Sequence, residues 1–304
     1  MSQTLTFRSL TQACNTLGLE APRHPLVSVF RHAELAAILN FQNVQIQSEL
    51  YIIGMKDGVS GKMGYGRNSY DYTEGTMVFS APDQVMNSNQ ITVAPGSIAW
   101  SLIFHPDLIR PFELGKHIHT YSYFSYAVTE ALHLDKHEIQ TLTELVHKIE
   151  AEYKQRIDRY SQKLIVANIE LILDYCLRYY DRQFYLRNNQ NQDVLTRFEG
   201  LLIAYYESER PVNMGYPTVQ YCGEELGLSP NYLSDLLKKE TGKTAQEHIH
   251  LFMLEKAKTD LLKSQLSISE IAYTLGFGYP NHFSRFFKKK VGVNPREWRN
   301  EQGN

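Results

Sequence analysis

Asn281, Arg285 and Lys289 stand four residues apart, so a carboxamide, a guanidinium and an ammonium share one face of any helix that contains them. Those groups suit a polyanion with readable edges. A guanidinium pairs bidentately with guanine O6 and N7, a carboxamide suits adenine, and an ammonium suits phosphate. Phe283, Phe286 and Phe287 mark the opposite, core-facing stripe and leave Asn281, His282, Arg285 and Lys289 outside. Residues 280 to 304 hold six basic side chains (Arg285, Lys288, Lys289, Lys290, Arg296, Arg299) against two acids (Glu297, Glu301), locally +4 on a chain of net charge −2. A basic end fits a polyanionic partner. The three lysines alone would equally suit a helix C-terminus, where the helix dipole favours cations.

The pattern occurs twice. A shift of fifty superimposes Pro230 on Pro280, Asn231 on Asn281, Ser234 on Ser284, Lys238 on Lys288, Lys239 on Lys289 and Gly242 on Gly292. Upstream the best shift is forty-nine, pairing Leu226 with Leu275, Gly227 with Gly276 and Gly223 with Ala272. The second copy therefore holds one extra residue near Gly278 or Tyr279, where a turn would absorb it.

Each copy reads as helix, tight turn and helix. In the first, Thr218 is an N-cap, Gly227 stops the helix, and Ser229 with Pro230 starts the next. In the second, Ser267 with Glu270 makes a capping box, Gly276 stops the helix and Pro280 restarts the chain. Gly223 and Ala272 are small enough for close helix crossing. Two helix-turn-helix motifs follow, over 218–240 and 267–290. In the first copy Leu233, Leu236 and Leu237 face inward, leaving Asn231, Tyr232, Asp235 and Lys238 outside. Ser234, Pro280, Ser284 and Lys288 complete the candidate contact set by their places in the repeat. Asp235 can accept from cytosine N4 but repels phosphates, so the first copy is expected to bind more weakly.

Between the copies, Thr244 and Glu247 cap a helix to about Lys263, with Ile249, Phe252, Met253, Ala257 and Leu261 inside. Some eighteen residues make a rod of roughly 27 Å. Readers at its two ends could enter successive major grooves of B-DNA, about 34 Å apart.

The segments GEELGLSPNYLSDLLKKETGKT and SISEIAYTLGFGYPNHFSRFFKKKVGVNPREWR resemble the two halves of the AraC/XylS-type DNA-binding domain, from roughly Arg197 to Arg299. The resemblance implies a bacterial transcription regulator, often an activator, with double-stranded DNA, a homodimer partner, a small-molecule effector and RNA polymerase as partners. It implies neither enzymatic activity nor a cofactor. Two residues depart from the pattern: Met253 stands where an arginine is common, and Asp235 where a basic or amide residue is frequent.

The rest of the chain must position these readers. With 304 residues, 43% apolar and 21% charged, it has the composition of an ordinary soluble protein of two domains. No basic leader or long apolar run appears, so a cytoplasmic location without membrane association is expected. Cys14, Cys176 and Cys222 are odd in number and far apart, which suits buried thiols.

Residues 1–128 read as a β-rich domain, a β sandwich or small barrel, from runs such as ELYIIGM and SIAWSLIF. Followed by two helices, they resemble the cupin-type sensor and dimerisation domain attached to many members of the same family. Residues 129–187 read as a helical dimerisation segment: Asp135 and Glu138 form a capping box, Ile139, Leu142, Leu145, Val146, Ile149 and Tyr153 make one stripe, and a second helix follows over 164–180. Residues 188–195 read as a linker, and 196–304 as the DNA-binding domain. The fold class is thus α+β with an all-α C-terminal domain. Tyr51, Tyr70, Tyr72, Phe79, Trp100 and Phe104 are candidates to line a ligand cavity or to fill the core.

Other chemistries find little support. His117 and His119 would face one way on a strand, but no nearby Glu completes a metal set. GVSGKMG lacks the phosphate-loop spacing and suits a glycine-rich hairpin. No cysteine stands in the Pro-Cys-His setting of a repair methyltransferase. The alternatives to a ligand-responsive regulator are an architectural DNA binder and a metal-dependent cupin enzyme tethered to DNA.

Overall fold

The computed structural model describes residues 3–36, 44–57, 59–65, 68–71, 75–93, 97–127, 130–186, 188–263 and 265–302. They gather into two units, Met1–Leu186 and Arg187–Asn304.

Among the described residues ten strands build the first unit: β1 (Gln3–Phe7), β2 (Val27–Arg31), β3 (Val44–Ser48), β4 (Tyr51–Lys56), β5 (Val59–Tyr65), β6 (Asn68–Asp71), β7 (Thr76–Ser80), β8 (Val85–Val93), β9 (Trp100–Phe104) and β10 (Leu132–His133). They form two five-stranded sheets, β1-β3-β8-β5-β6 and β10-β7-β4-β9-β2, and no ladder closes them into one barrel among the described residues. Sequence alternation cannot tell these arrangements apart, because a closed sheet and two stacked sheets each bury one face of every strand. Of the GVSGKMG segment, Val59 to Gly64 lie on β5, which pairs antiparallel with β6, and Gly58 lies outside the described residues.

Short helices α1 (Leu10–Leu17), α2 (His32–Ala36), α3 (Pro106–Ile109) and α4 (Glu113–His117) trim the sheets, and two long ones, α5 (Lys136–Lys154) and α6 (Ser161–Leu186), cover the second sheet. The capping box at the start of α5 is present: Asp135 Oδ1 accepts from His137 N and Glu138 N, and Glu138 Oε2 accepts from Asp135 N. The same Glu138 carboxylate accepts from Arg182 of α6 at 2.8 Å, which ties the two helices. Leu142, Leu145, Val146, Ile149 and Tyr153 are all buried. The α5 stripe is therefore consumed inside its own unit, against β2 and α6.

The second unit is helical: α7 (Asn188–Glu207), α8 (Arg210–Met214), α9 (Val219–Leu226), α10 (Pro230–Thr241), α11 (Ala245–Lys263), α12 (Ile268–Thr274), α13 (Pro280–Val291) and α14 (Pro295–Gln302). Residues 188–195, read as a linker, are the opening turns of α7. Their Asn and Gln side chains carry only modest helix penalties, which the buried Phe198, Leu202 and Tyr205 further along the same helix offset. No helix among the described residues is long and apolar enough to cross a membrane.

Candidate nucleic-acid interface

The two motifs are built by the same local hydrogen bonds. Gly227 N donates to Glu224 O and Leu228 N to Gly223 O; forty-nine residues later Gly276 N donates to Tyr273 O and Phe277 N to Ala272 O. Both turns close as Schellman-type caps with a glycine in the left-handed region, φ 73° at Gly227 and 87° at Gly276. The next helix is entered from Ser229 in the first copy and Tyr279 in the second, a shift of fifty. The extra residue is thus Gly278. Gly223 has a reason other than helix crossing: a Cβ there would lie 2.6 Å from the Leu228 carbonyl oxygen, so the turn itself excludes a side chain.

The expected caps are in place. Thr218 Oγ1 accepts from Tyr221 N, and Ser229 Oγ from Tyr232 N. Ser267 with Glu270, and Thr244 with Glu247, exchange hydrogen bonds in both directions. Donation by the Ser267 backbone and hydroxyl lowers the pKa of Glu270, and donation by Thr244 does the same for Glu247. The folded protein therefore binds these protons less readily than the unfolded chain. Their stabilisation is full above the unfolded value near 4.5 and drains away as pH falls through the lowered folded value. Glu270→Gln should accordingly melt below wild type at neutral pH, and the gap should close in an acid titration of the melting temperature.

Helix α13 is fixed by aromatic packing. Phe283 and Phe287 are fully buried, with ring centroids 5.8 Å apart; Phe283 also meets Phe277 at 5.5 Å, and Phe287 meets Trp298 of α14 at 6.1 Å. Phe286 is half-buried between Phe277 and His250. Burial and the Lys290 ammonium lower the His250 pKa, so its ring is neutral at physiological pH. This packing leaves Asn281, His282, Arg285, Lys288 and Lys289 exposed, with Pro280 and Ser284 half-buried.

In α10, Leu233, Leu236 and Leu237 are buried as expected, Asn231 and Lys238 are exposed, and Asp235 is half-buried. Two readings change. Tyr232, expected outside, is only 5% exposed. The reason is that α10 packs against α7, α9 and α11, so a wide sector of this helix is buried. Ser234 is half-buried, and its Oγ accepts from Ala245 N at the start of α11. The basic end is also less free than its composition suggests: Arg299 donates to the carbonyls of Leu261 and Leu266.

Sequence reasoning missed Tyr279. It is 68% exposed at the head of α13, its ring edge-on to His282 at 5.5 Å. An aromatic residue immediately after the single-residue insertion of the repeat, where the first copy has Ser229, was the available signal. Met253 is buried within α11, so it makes a packing contact at the place where the resemblance implies arginine.

The aromatic set of the first unit has a packing role. Tyr51 stacks on Phe104 at 5.1 Å, and Phe79 meets Tyr123 at 4.4 Å and Tyr180 of α6 at 6.3 Å. Trp100 is fully buried and donates from Nε1 to Thr143 of α5. These contacts join the second sheet to its helices and support core filling. Tyr70 lies on β6, and Tyr72 lies outside the described residues. A groove of about 650 Å³ beside α5, bordered by Arg31, Ile98 and His147, is lined by none of these aromatics. His117 ends α4 and His119 lies in the following 3-10 turn, so they do not share a strand face; among the described residues no metal-holding cluster is found. All three cysteines are buried and free.

Residues 222–301 match a family model described as a helix-turn-helix domain. The chain is similar to the HTH-type transcriptional activator RhaS of Escherichia fergusonii, 28% identical over 166 residues, which are 55% of this chain and 56% of that protein. It is similar to the transcriptional regulatory protein YesN of Bacillus subtilis, 40% identical over 80 residues, 26% of this chain and 22% of that one. It also aligns with the C-terminal domain of the two-component response regulator yesN from Fusobacterium nucleatum, 33% identical, covering 33% of this chain and 96% of that domain with a TM-score of 0.29. The chain thus spans about half the length of the first curated relative and about a fifth of the second. Residues 222–301, in the C-terminal unit, are thus a helix-turn-helix domain of the AraC type.

Proposed function

We propose that this protein is a sequence-specific, DNA-binding transcription regulator of the bacterial cytoplasm, with α13 and α10 entering adjacent major grooves of one duplex. The observation that carries this reading is the outer face of α13. Asn281, His282, Arg285, Lys288 and Lys289 stand in solvent together, while Phe283 and Phe287 are locked in the core behind them. The nineteen residues of α11 make a rod of about 28 Å, close to one turn of B-DNA. On α10, Asn231 and Lys238 are the exposed contacts and Asp235 restricts the sequences accepted, so the first copy is the weaker reader. Selection from a random duplex pool tests the proposal. A regulator of this design enriches one motif with two half-sites a helical turn apart, whereas an architectural binder returns the pool nearly unchanged.

The first unit serves, on this reading, as sensor and homodimerisation module, and RNA polymerase is the partner through which bound protein acts. Because the α5 stripe is buried, the dimer surface moves to the outer side of α6. Tyr160 just before α6, with Leu164 and Leu171 on it, is 52%, 48% and 43% exposed, at spacings that align them on one helical face. A Leu164→Glu, Leu171→Glu double variant should sediment as a monomer at micromolar concentration while the wild-type chain sediments as a dimer. A monomeric wild type under the same conditions would remove the dimer from the proposal.

A further inference from the structure

The second sheet of the first unit has two unlike faces. Arg31, Trp100, Met55 and Met77 are register partners on the face covered by α5, as the hydrogen bond from Trp100 to Thr143 shows. On the opposite face Phe30, Ser101, Gly54 and Val78 lie in one row, and Lys56, two residues beyond Gly54, stands opposite Thr76. One part of this face is apolar: Phe30 and Ile103 pack with Phe7 of β1 and with Leu10 and Cys14 of α1. The inner face therefore turns towards the first sheet.

Its other part is polar and dry. His32 Nε2 lies 2.8 Å from Ser101 Oγ and 3.5 Å from Lys56 Nζ. Lys56, His32 and Ser101 are 7%, 5% and 8% exposed. Gly54 lets them gather, since a Cβ there would meet Val78 Cγ2 at 3.2 Å and Ser101 Oγ at 3.4 Å.

The ammonium of Lys56 has three N–H donors, and its contact among the described residues is the long one to an imidazole. That imidazole brings no counter-charge: burial first, then the Lys56 charge, pushes the His32 pKa down to about 2. Burial lowers Lys56 only to about 8, so it is still mostly protonated at neutral pH. Among the described residues no carboxylate pairs with it. Proteins rarely bury a lysine without an anion, because an unpaired charge is poorly tolerated away from water.

We propose that Lys56, Ser101 and His32 form a binding site for the carboxylate of a small monocarboxylic acid, whose apolar body lies along the Val78 side of the same sheet face. One ammonium matches one negative charge; once Lys56 turns from the imidazole to the acid, the His32 tautomer protonated on Nε2 donates to Ser101 Oγ and leaves the Ser101 hydroxyl proton as a second donor. A dianion would bring a second charge into the same dry layer. The physiological meaning of the site, an effector input, rests on reading the first unit as a sensor; binding itself does not.

Calorimetry on the full chain with sodium butyrate and sodium benzoate tests this, with butyramide and benzamide as uncharged isosteres. At least one acid should bind saturably and raise the melting temperature, and its amide should bind at least roughly tenfold more weakly, having lost the charge-assisted hydrogen bonds. Lys56→Met should abolish the acid response yet melt no lower than wild type without ligand, because it removes a buried charge. Ser101→Ala should weaken the acid about fivefold, and it decides the matter if Lys56→Met does not fold. Absence of binding by both acids, equal binding of acid and amide, or an unaltered response in both variants overturns the site. DNA binding is measured separately, on the selected duplex without acid. A chain that binds acid but no DNA loses the regulator reading alone, and one that binds DNA but no acid loses only this site.

Discussion

Gly276→Ala should destabilise the second unit by about 2–5 kcal/mol, the sum of left-handed backbone strain and an overpacked contact. Gly276 sits at φ 87°, and a Cβ would stand 2.3 Å from Tyr216 N and 2.5 Å from Gly215 C. These are backbone atoms with little room to retreat, because Tyr205 donates its hydroxyl to the Gly215 carbonyl at 2.8 Å and Tyr206 reaches Leu275 O at 3.4 Å. The turn of the second motif is therefore held flush against the loop after α8. Gly227 supplies an internal control. It occupies the equivalent turn at φ 73° with nothing within 4 Å of its absent Cβ, so Gly227→Ala should cost only about 1 kcal/mol of backbone strain. Denaturation of the full chain in a Trp100→Phe background, so that fluorescence reports Trp298 alone, compares the two. Equal losses would mean that the approach of the loop to Gly276 is wrong.

Arg285→Ala should cost about 1–3 kcal/mol in binding the selected DNA and relax the preference at one base pair. Lys289→Ala should weaken all sequences alike and reduce the salt dependence by roughly one charge. Both side chains are exposed, basic and on one face of α13, so charge alone predicts the same behaviour for each. The difference follows from position along the helix. Arg285 sits mid-helix, where α13 would lie deepest in a groove, and Lys289 sits in the last turn, where a phosphate would pass. The result that overturns this assignment is a correctly folded Arg285→Ala with wild-type affinity and wild-type preference at every position. Tyr279, beside His282 at the head of the same helix, extends the exposed surface available to that contact.

The C-terminal motifs were legible in the sequence because their determinants are local. Thr218, Ser229, Ser267 and Glu270 bond within three residues of themselves, so spacing alone identifies them as caps. Gly227 and Gly276 adopt a backbone conformation that few other residues tolerate. Phe283 and Phe287 fall on one face by helical geometry alone. Even the inserted residue could be narrowed to two positions by counting.

Other features depended on partners distant in the chain. Tyr232 is buried because α10 has three helical neighbours, and nothing in its own helix announces the third. The apolar stripe of α5 looked free to join a second copy until β2 and α6 covered it. Residues 188–195 look like a linker by composition, yet the helix they open is anchored by Phe198, Leu202 and Tyr205. Alternating strands left one barrel and two sheets equally open, and Lys56 and His32, twenty-four residues apart, met only when strand pairing brought them together. The sequence by itself thus determined the two helix-turn-helix motifs, their caps and the residues α13 turns outward, because short-range hydrogen bonds and helical periodicity suffice for them. The tertiary structure decided which apolar faces remain open, how the strands divide into sheets and which polar groups are buried together, because burial is a property of neighbours and not of the residue alone.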